Sequence, residues 1–328
     1  MMKFRLHLGH VGLLDAAPLL IAQEQGYFVE ESLDVTLSCE LGLATVCGKL
    51  ADQRMDGACL PAPLPVLLSL GAGVPRVAMR AVTLCAWQGM GVVLARSRDS
   101  ARPRDTSPAR IGVVAPGAPT RLLLHKLAQS TGAPVAADLL QVPMAASQLI
   151  EFLREGMLDG FCGLDPLPAL ARLHCGAESI ADSASLFPGH PGSVVALRAE
   201  RSEHLPPPVL AALERGLTRA RKFCANPANR DSVWRLVLGQ PPYAEIEPGL
   251  REALVAHVVA GEAGWSSLRF DAPASERAGL SQAAEVFLEN ACRGAAGASA
   301  RAFDFKAEIA RVYPRRDVAV LSRQKVNT

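Results

Sequence analysis

The sequence predicts an α/β protein of two modules, each a mostly parallel sheet wrapped by helices, with a ligand cleft between them. Three observations predict it. The first third runs strand, helix, strand, helix, strand, an order that a parallel sheet with crossover helices satisfies. An apolar segment over 77–95 is too long for one strand and too β-rich for a helix, so two strands in tandem cross from one module to the other. After a charged loop the same rhythm restarts at 111, and two such modules in a chain of 328 residues leave a cleft between them.

In order along the chain, Phe4-Arg5-Leu6-His7-Leu8 alternates as a half-buried strand does. Helical spacing follows over 18–25, closed by Gly26, then an alternating strand over 33–39. A loop containing Gly42 leads into a helix expected over 45–53, and 57–60 reads as a short buried strand. Only Arg80, Thr83, Gln88 and the Gly89-Met90-Gly91 step interrupt the tandem strands. The second module is read as a Pro-containing loop over 96–110, a strand over 111–114, a loop over 115–119 and a helix over 120–131. A strand over 139–142, a helix over 146–155 and a strand over 160–163 complete it. A β-branched strand over 193–197 returns, and after Leu205-Pro206-Pro207-Pro208 helical patterns occupy 209–224, 231–237, 248–258 and 281–293. The low-complexity stretch 294–300 reads as a mobile link to a last helix. The expected division is 1–84 for the first lobe, 85–195 for the second, and 196–328 for a mostly helical return to the first.

Composition narrows the function. Lys and Arg total 34 against 32 Asp and Glu, a formal charge of +2, which excludes a broad phosphate-reading face and so direct nucleic-acid binding. The longest uncharged stretch, 57–75, carries Pro61, Pro63, Pro65 and Pro75, so no membrane insertion is expected. The N-terminus reads as a first strand with no signal peptide before it, and the eight cysteines form no CxxC or zinc-like spacing. Both features lead to the expectation of a cytoplasmic protein with buried thiols. GxGxxG after a strand, GxxxxGK[ST], HExxH and GxSxG are all missing, and His7 and His10 lie where they would not share a metal. The chain is therefore expected to be no enzyme and to hold neither cofactor nor metal.

Loops that end strands and begin helices carry what chemistry there is. Gly42-Leu43-Ala44-Thr45, Pro116-Gly117-Ala118-Pro119-Thr120 and Pro143-Met144-Ala145-Ala146-Ser147-Gln148 each offer backbone N–H groups and a polar side chain at a helix start. Thr45, Thr120 and Ser147 are either ordinary N-caps or anion ligands, and three such loops facing one cleft favour a ligand site.

A resemblance sharpens this. The run from Gly12 to Ala22 with Asp15 and Pro18, Gly26-Tyr27-Phe28, Ala44-Thr45 before Lys49-Leu50, and Asp56-Gly57-Ala58 leading to Pro61-Ala62-Pro63-Leu64-Pro65 resemble the nitrate- and bicarbonate-binding proteins of ABC transporters. Val142-Pro143, Gln148, Gly156-Met157-Leu158-Asp159-Gly160-Phe161-Cys162, Asp165-Pro166, His190-Pro191 and Asn226-Pro227-Ala228-Asn229-Arg230 continue the series to about residue 290. The resemblance implies the type II periplasmic-binding-protein fold, two α/β lobes joined by two crossing strands. By carry-over the anion would meet Trp87, the backbone at Gly89, Gln148 and His190, whose N–H groups suit an acceptor-only ligand such as nitrate. Each also has an ordinary reading, as a core Trp, a helix-surface Gln and a loop His. The family's lysine from the C-terminal part has no clear counterpart, and Arg277 is the nearest substitute.

The chain looks most like the cytoplasmic nitrate/nitrite sensors of the NasS type, whose tail Lys306-Ala307-Glu308-Ile309-Ala310-Arg311-Val312-Tyr313-Pro314 resembles. That resemblance implies a sensor that holds an ANTAR-type RNA-binding antiterminator (NasT type) until nitrate or nitrite releases it, so controlling nitrate assimilation. The alternatives are an ABC-transporter substrate-binding protein for nitrate, bicarbonate or a related small anion, and an enzyme of the pyrimidine-precursor synthase type.

Overall fold

The computed structural model describes residues 4–95, 110–114, 122–124, 126–127, 140–143, 146–261, 266–271 and 280–314. Strand β1 (Phe4–Val11) leads through a 3-10 turn (Leu14–Ala16) to α1 (Ala17–Glu24) and α2 (Tyr27–Glu30), then β2 (Leu33–Glu40), α3 (Leu43–Ala51), β3 (Gly57–Pro61), α4 (Leu64–Leu70) and β4 (Met79–Trp87). Across the hinge come β5 (Met90–Leu94), β6 (Arg110–Val113), β7 (Leu140–Pro143), α5 (Ala146–Arg154), β8 (Gly160–Leu164), α6 (Leu167–Cys175), β9 (Glu178–Asp182) and α7 (Ser183–Leu186). The chain returns on β10 (Pro191–Arg198), followed by α8 (Ala199–His204), α9 (Pro207–Ala225), α10 (Arg230–Leu238), α11 (Pro248–Val259), α12 (Gln282–Ala296) and α13 (Phe305–Val312).

The strands form two five-stranded sheets with the same plan, β2-β1-β3-β10-β4 and β7-β6-β8-β5-β9. In each, parallel strands built by crossover helices are joined by one antiparallel strand that arrived from the other sheet. In the first sheet β10 runs antiparallel to both β3 and β4, and in the second β5 runs antiparallel to both β8 and β9. The polypeptide leaves the first sheet after Trp87 and re-enters it at Pro191. The carboxyl ends of β1, β3 and β4 and those of β6 and β8 are where strands give way to loops and helix starts, the position open α/β sheets use for ligands.

Burial explains why these segments take these forms. All five residues of β3 and all five of β8 are buried, as continuous apolar runs in central strands must be. Helix α9 turns Val209, Ala212, Leu213, Gly216, Leu217 and Ala220 inward along one stripe, and Gly216 lets Phe28 approach. No helix among the described residues is long and apolar enough to cross a membrane.

Several elements differ from the sequence expectation. The helix expected over 45–53 starts two residues earlier, with Gly42 as its N-cap, so Thr45 stands exposed inside the first turn and is no cap. Helices α4 and α6 were hidden by prolines: Pro65 and Pro168 sit in the first helical turn, where a missing N–H costs nothing. The stretch 294–300 is the end of α12 and the start of a 3-10 turn, Gly297–Ala302. Of the loop expected over 96–110 only Arg110 is described, and it opens β6, while the loop expected over 115–119 and much of the helix expected over 120–131 lie outside the described residues.

Candidate functional site

The hinge gathers three of the residues singled out in the sequence. At the end of β4 the Trp87 backbone pairs with Pro191 on one side and with Arg269 on the other, donating to the Arg269 carbonyl at 2.8 Å and accepting from its amide at 2.9 Å. The next amide, of Gln88, donates to the His190 carbonyl at 3.1 Å. Gln88 and Gly89 have φ of 62° and 89°, the left-handed region that turns the chain toward β5. A Cβ at Gly89 would come within 2.8 Å of Leu268, so glycine is required there on both counts. The Gln88 side chain, with its nitrogen toward the Ser267 carbonyl at 3.1 Å and its oxygen toward the Gly189 amide at 2.8 Å, ties the two crossing connections to the 266–271 segment.

Trp87 is 2% exposed and its indole N–H has no partner among the described residues. A buried donor without an acceptor costs about 1–3 kcal/mol, so such a group invites one. The Arg221 guanidinium of α9 lies 5.1 Å from the Trp87 ring and donates to the Leu84 carbonyl at 2.8 Å. Burial lowers its pKa, and among the described residues it pairs with no carboxylate.

His190 behaves differently from the sequence expectation. Its ring stacks on Phe287 of α12 with centroids 4.3 Å apart. Its Nδ1 lies 3.0 Å from the Pro191 carbonyl, which only accepts, so Nδ1 carries the proton. Burial pushes the imidazole down to about 4 and keeps it neutral, so Nε2, buried and without a partner, presents a lone pair. In this tautomer His190 is an acceptor at Nε2, where the sequence reading took it as a donor to an oxyanion.

The other expected ligands stand elsewhere. Gln148 is exposed on the first turn of α5, in the layer of the second sheet, and Thr45 is exposed on α3 in the first. Thr120, Arg277 and the side chain of Ser147 lie outside the described residues. No group of three or more His, Cys, Asp or Glu among the described residues is arranged to hold a metal ion.

The structure also exposes an acid pair that the sequence reading quoted but did not assign. Asp15 follows β1 and Asp165 follows β8, and the Leu14 amide donates to the Asp165 carbonyl at 2.9 Å, binding the loop of one lobe to that of the other. Asp165 Oδ2 accepts from Ser266 Oγ at 2.7 Å and from the Leu268 amide at 3.3 Å, while the Asp165 amide donates to the Gly89 carbonyl at 2.9 Å. The Asp15 carbonyl accepts from Ser193 Oγ at 3.3 Å. Both side chains are buried, and desolvation pushes each carboxyl up to about 7, repulsion from Asp165 adding to the shift of Asp15. Tyr243, 1% exposed, has a hydroxyl without a partner and is raised well above the usual range by burial and by the Asp15 and Asp165 charges. The signal was available in outline: Asp165 directly follows the buried apolar strand β8, and Asp15 lies in the 3-10 turn that follows β1.

A cavity of about 350 Å³ opens beside this junction, lined by Leu14, Arg230, Trp234, Ser266, Leu268 and Arg269 among others. It contains none of the residues expected from the sequence to bind ligand.

Two α/β lobes of like topology, exchanging strands across a double crossover with buried polar groups at the junction, define the type II periplasmic-binding-protein fold. The chain belongs to the NMT1-like family, whose model matches residues 2–238. Its structure superposes on the periplasmic nitrate-binding protein NrtA from Synechocystis PCC 6803 with a TM-score of 0.78, covering 98% of this chain and 88% of that one at 19% identity. The periplasmic aliphatic sulphonate binding protein SsuA from Escherichia coli gives a TM-score of 0.60 over 89% of this chain and 91% of that one at 11% identity. In sequence, the bicarbonate transport ATP-binding protein CmpC of Synechococcus elongatus is 28% identical over 250 residues, 72% of this chain and 37% of that protein. The bicarbonate-binding protein CmpA of the same organism is 26% identical over 290 residues, 81% of this chain and 64% of that protein. The chain thus spans little more than a third of the length of the first of these relatives.

Proposed function

We propose that this chain is the solute-binding component of an ABC-type importer and that it takes a small oxyanion of the nitrate or bicarbonate class between its lobes. The observation that carries this reading is the superposition of nearly the whole chain on a nitrate-binding protein, with the unpartnered Trp87 N–H at the hinge. The chemistry is binding and closure. An anion lodged at the hinge accepts from the Trp87 indole, the Arg221 guanidinium beside that ring supplies the positive field, and rotation of the lobes excludes water so that both interactions strengthen. Binding that selects the closed form is the signal a transporter reads.

The relatives favour this importer reading over the cytoplasmic sensor of an ANTAR-type antiterminator, because they carry import and binding names. Cell fractionation separates the two: an importer component is recovered outside the cytoplasm, a sensor within it and in complex with its antiterminator. The enzyme reading has no support in the relatives, which are named for binding and transport.

The test is a thermal-shift titration with nitrate, nitrite, bicarbonate and chloride at constant ionic strength. A ligand at 100 times its Kd adds about 2.7 kcal/mol of stability, a shift of a few degrees in Tm. A rise selective for nitrate, nitrite or bicarbonate supports the reading, and no rise with any of them removes it.

A further inference from the structure

The Asn226-Pro227-Ala228-Asn229-Arg230 run, which carries part of the family resemblance, forms the corner between α9 and α10. Asn226 Oδ1 accepts from the Ala228 amide at 3.1 Å, the Asn229 amide donates to the Asn226 carbonyl at 3.0 Å, and Asn229 Nδ2 donates to the Phe223 carbonyl at 3.0 Å. Both asparagines are thus committed to backbone. What the corner delivers is Arg230, at the start of α10 and on the wall of the cavity of about 350 Å³.

That cavity is bounded by the ends of α9 and α11, the first turn of α10 and the segment 266–271. Its volume is far beyond a packing defect and falls at the lower end of small-molecule sites, about 300–1,000 Å³. The walls are of two kinds. Leu14, Val233, Trp234, Val258 and Phe270, all buried, supply apolar and aromatic surface. The charged residues among the described lining are Arg230, Arg269 and Asp271. Arg269 and Asp271 satisfy each other through two bonds, Nη2 to Oδ2 at 2.6 Å and Nε to Oδ1 at 3.1 Å, and their charges cancel.

Arg230 is left as the net charge of the cavity. Among the described residues it pairs with no carboxylate, and its bond from Nη1 to the Val258 carbonyl at 3.1 Å commits one of five N–H groups. Gly261, with φ of 71°, packs closely on it, since a Cβ there would lie 3.4 Å from Arg230 Nη1. Capping of α11 accounts for that bond and for the position of the side chain, but not for a cavity of this size beside it.

We propose that this cavity is a second binding site, for an organic carboxylate with a flat apolar body of one or two rings. The carboxylate takes the Arg230 fork, and the body lies against Trp234 and Phe270. One uncompensated cation calls for one negative charge, and a planar guanidinium meets a carboxylate through two N–H groups at once. Aromatic walls favour a ring, which also loses less freedom on binding than a flexible chain. Nitrate or bicarbonate would satisfy Arg230 and leave the apolar walls uncovered, so this site differs in chemistry from the one proposed at Trp87. It differs in place as well, because Trp87, Gly89, Gln148 and His190 do not line it. The inference holds whichever solute the lobes take between them.

The experiment is calorimetric titration of the full chain with 2-naphthoate and with its neutral counterpart 2-naphthamide. The expected result is one 2-naphthoate per chain, bound at least about tenfold more tightly than 2-naphthamide, the difference a charge-assisted pair makes. Arg230→Gln is expected to bring the two ligands to equal affinity, and Arg230→Lys to restore part of the preference. Since Arg230 also caps α11, a second variant tests the site without removing it. Ala225 is exposed on the cavity wall, so Ala225→Trp is expected to fill the space and weaken both ligands at least about tenfold. The wild-type comparison of acid and amide needs no variant, so a misfolded mutant does not rescue the proposal. No binding of 2-naphthoate up to about 1 mM overturns it. Equal wild-type affinity for acid and amide, or full 2-naphthoate affinity in folded Ala225→Trp, does the same.

Discussion

A single proton decides what His190 can do. With Nδ1 committed to the Pro191 carbonyl, its Nε2 offers only a lone pair, and burial keeps the ring neutral down to about pH 4. Nitrogen NMR is expected to show one neutral tautomer, protonated at Nδ1, unchanged from pH 5.5 to 8.5. A titration midpoint near 6.5 in the folded protein would overturn the assignment. For folding the sign is opposite to that of the acid pair. The unfolded chain protonates this histidine near 6.5 and the folded one near 4, so His190 takes stability away as pH falls between those values. Trp87 presents the converse case, a donor with no acceptor. Trp87→Phe keeps an aromatic ring beside Arg221 while removing the N–H together with part of the buried ring, so nitrate affinity is expected to fall about 5–30-fold and the melting temperature to drop by several degrees from the void left behind. Equal affinity of the two forms in a calorimetric titration would remove Trp87 from the site. Neither property is legible in the sequence, because a tautomer depends on one carbonyl and an orphaned donor on everything that fails to reach it.

At the scale of elements, backbone conformation at the hinge is the sensitive quantity. Gly89 combines a positive φ with the Leu268 side chain where a Cβ would go, so Gly89→Ala is expected to cost about 1–3 kcal/mol and lower Tm by several degrees. Gly26→Ala, also at positive φ but with open space around it, is expected to cost about 1 kcal/mol, and thermal melts of the pair separate strain from crowding. Strands were the most legible part of the molecule. The tandem strands over 77–95 are β4 and β5, and their break falls at the Gln88-Gly89 step that the sequence reading noticed as an interruption. Helices α4 and α6 escaped because Pro65 and Pro168 read as breakers out of context, although the first turn tolerates them. Thr45 was placed at a helix start by its chemistry, whereas Gly42 holds that position by its extended backbone, with φ −170° and ψ 167°.

Across the whole molecule, the junction between lobes is held by a few named bonds: Leu14 to Asp165, Ser266 to Asp165, and Gln88 to both Gly189 and Ser267. Ser266→Ala removes one of these without touching either sheet. Its expected effect is a several-fold loss of apparent solute affinity, with a loss of about 1–3 kcal/mol in the stability of the ligand-free protein, in which the same bond to the buried Asp165 carboxyl is made. Small-angle scattering provides the second reading, since saturating solute is expected to contract the wild type more than the variant. This junction was the least legible feature of the sequence: Asp15 and Asp165 are 150 residues apart, and only the strand exchange between the sheets brings them together. Periodicity reports which residues face a core, and it carries no information about which two cores share an edge.

The double crossover has a further consequence. Because the polypeptide departs the first sheet at Trp87 and rejoins it at Pro191, with the Gln88 amide bonded to the His190 carbonyl at 3.1 Å, everything in the second sheet is one uninterrupted insertion whose two ends touch. A donor lobe from another protein of the same plan could therefore be spliced between residues 88 and 190 without severing any strand of the host. The host sheet would keep its own pairing of β10 with β3 and β4, and the graft would bring its own half of the recognition surface. Chimeras cut at these two positions would show which lobe dictates the choice of solute, since each half would be inherited intact from a known parent.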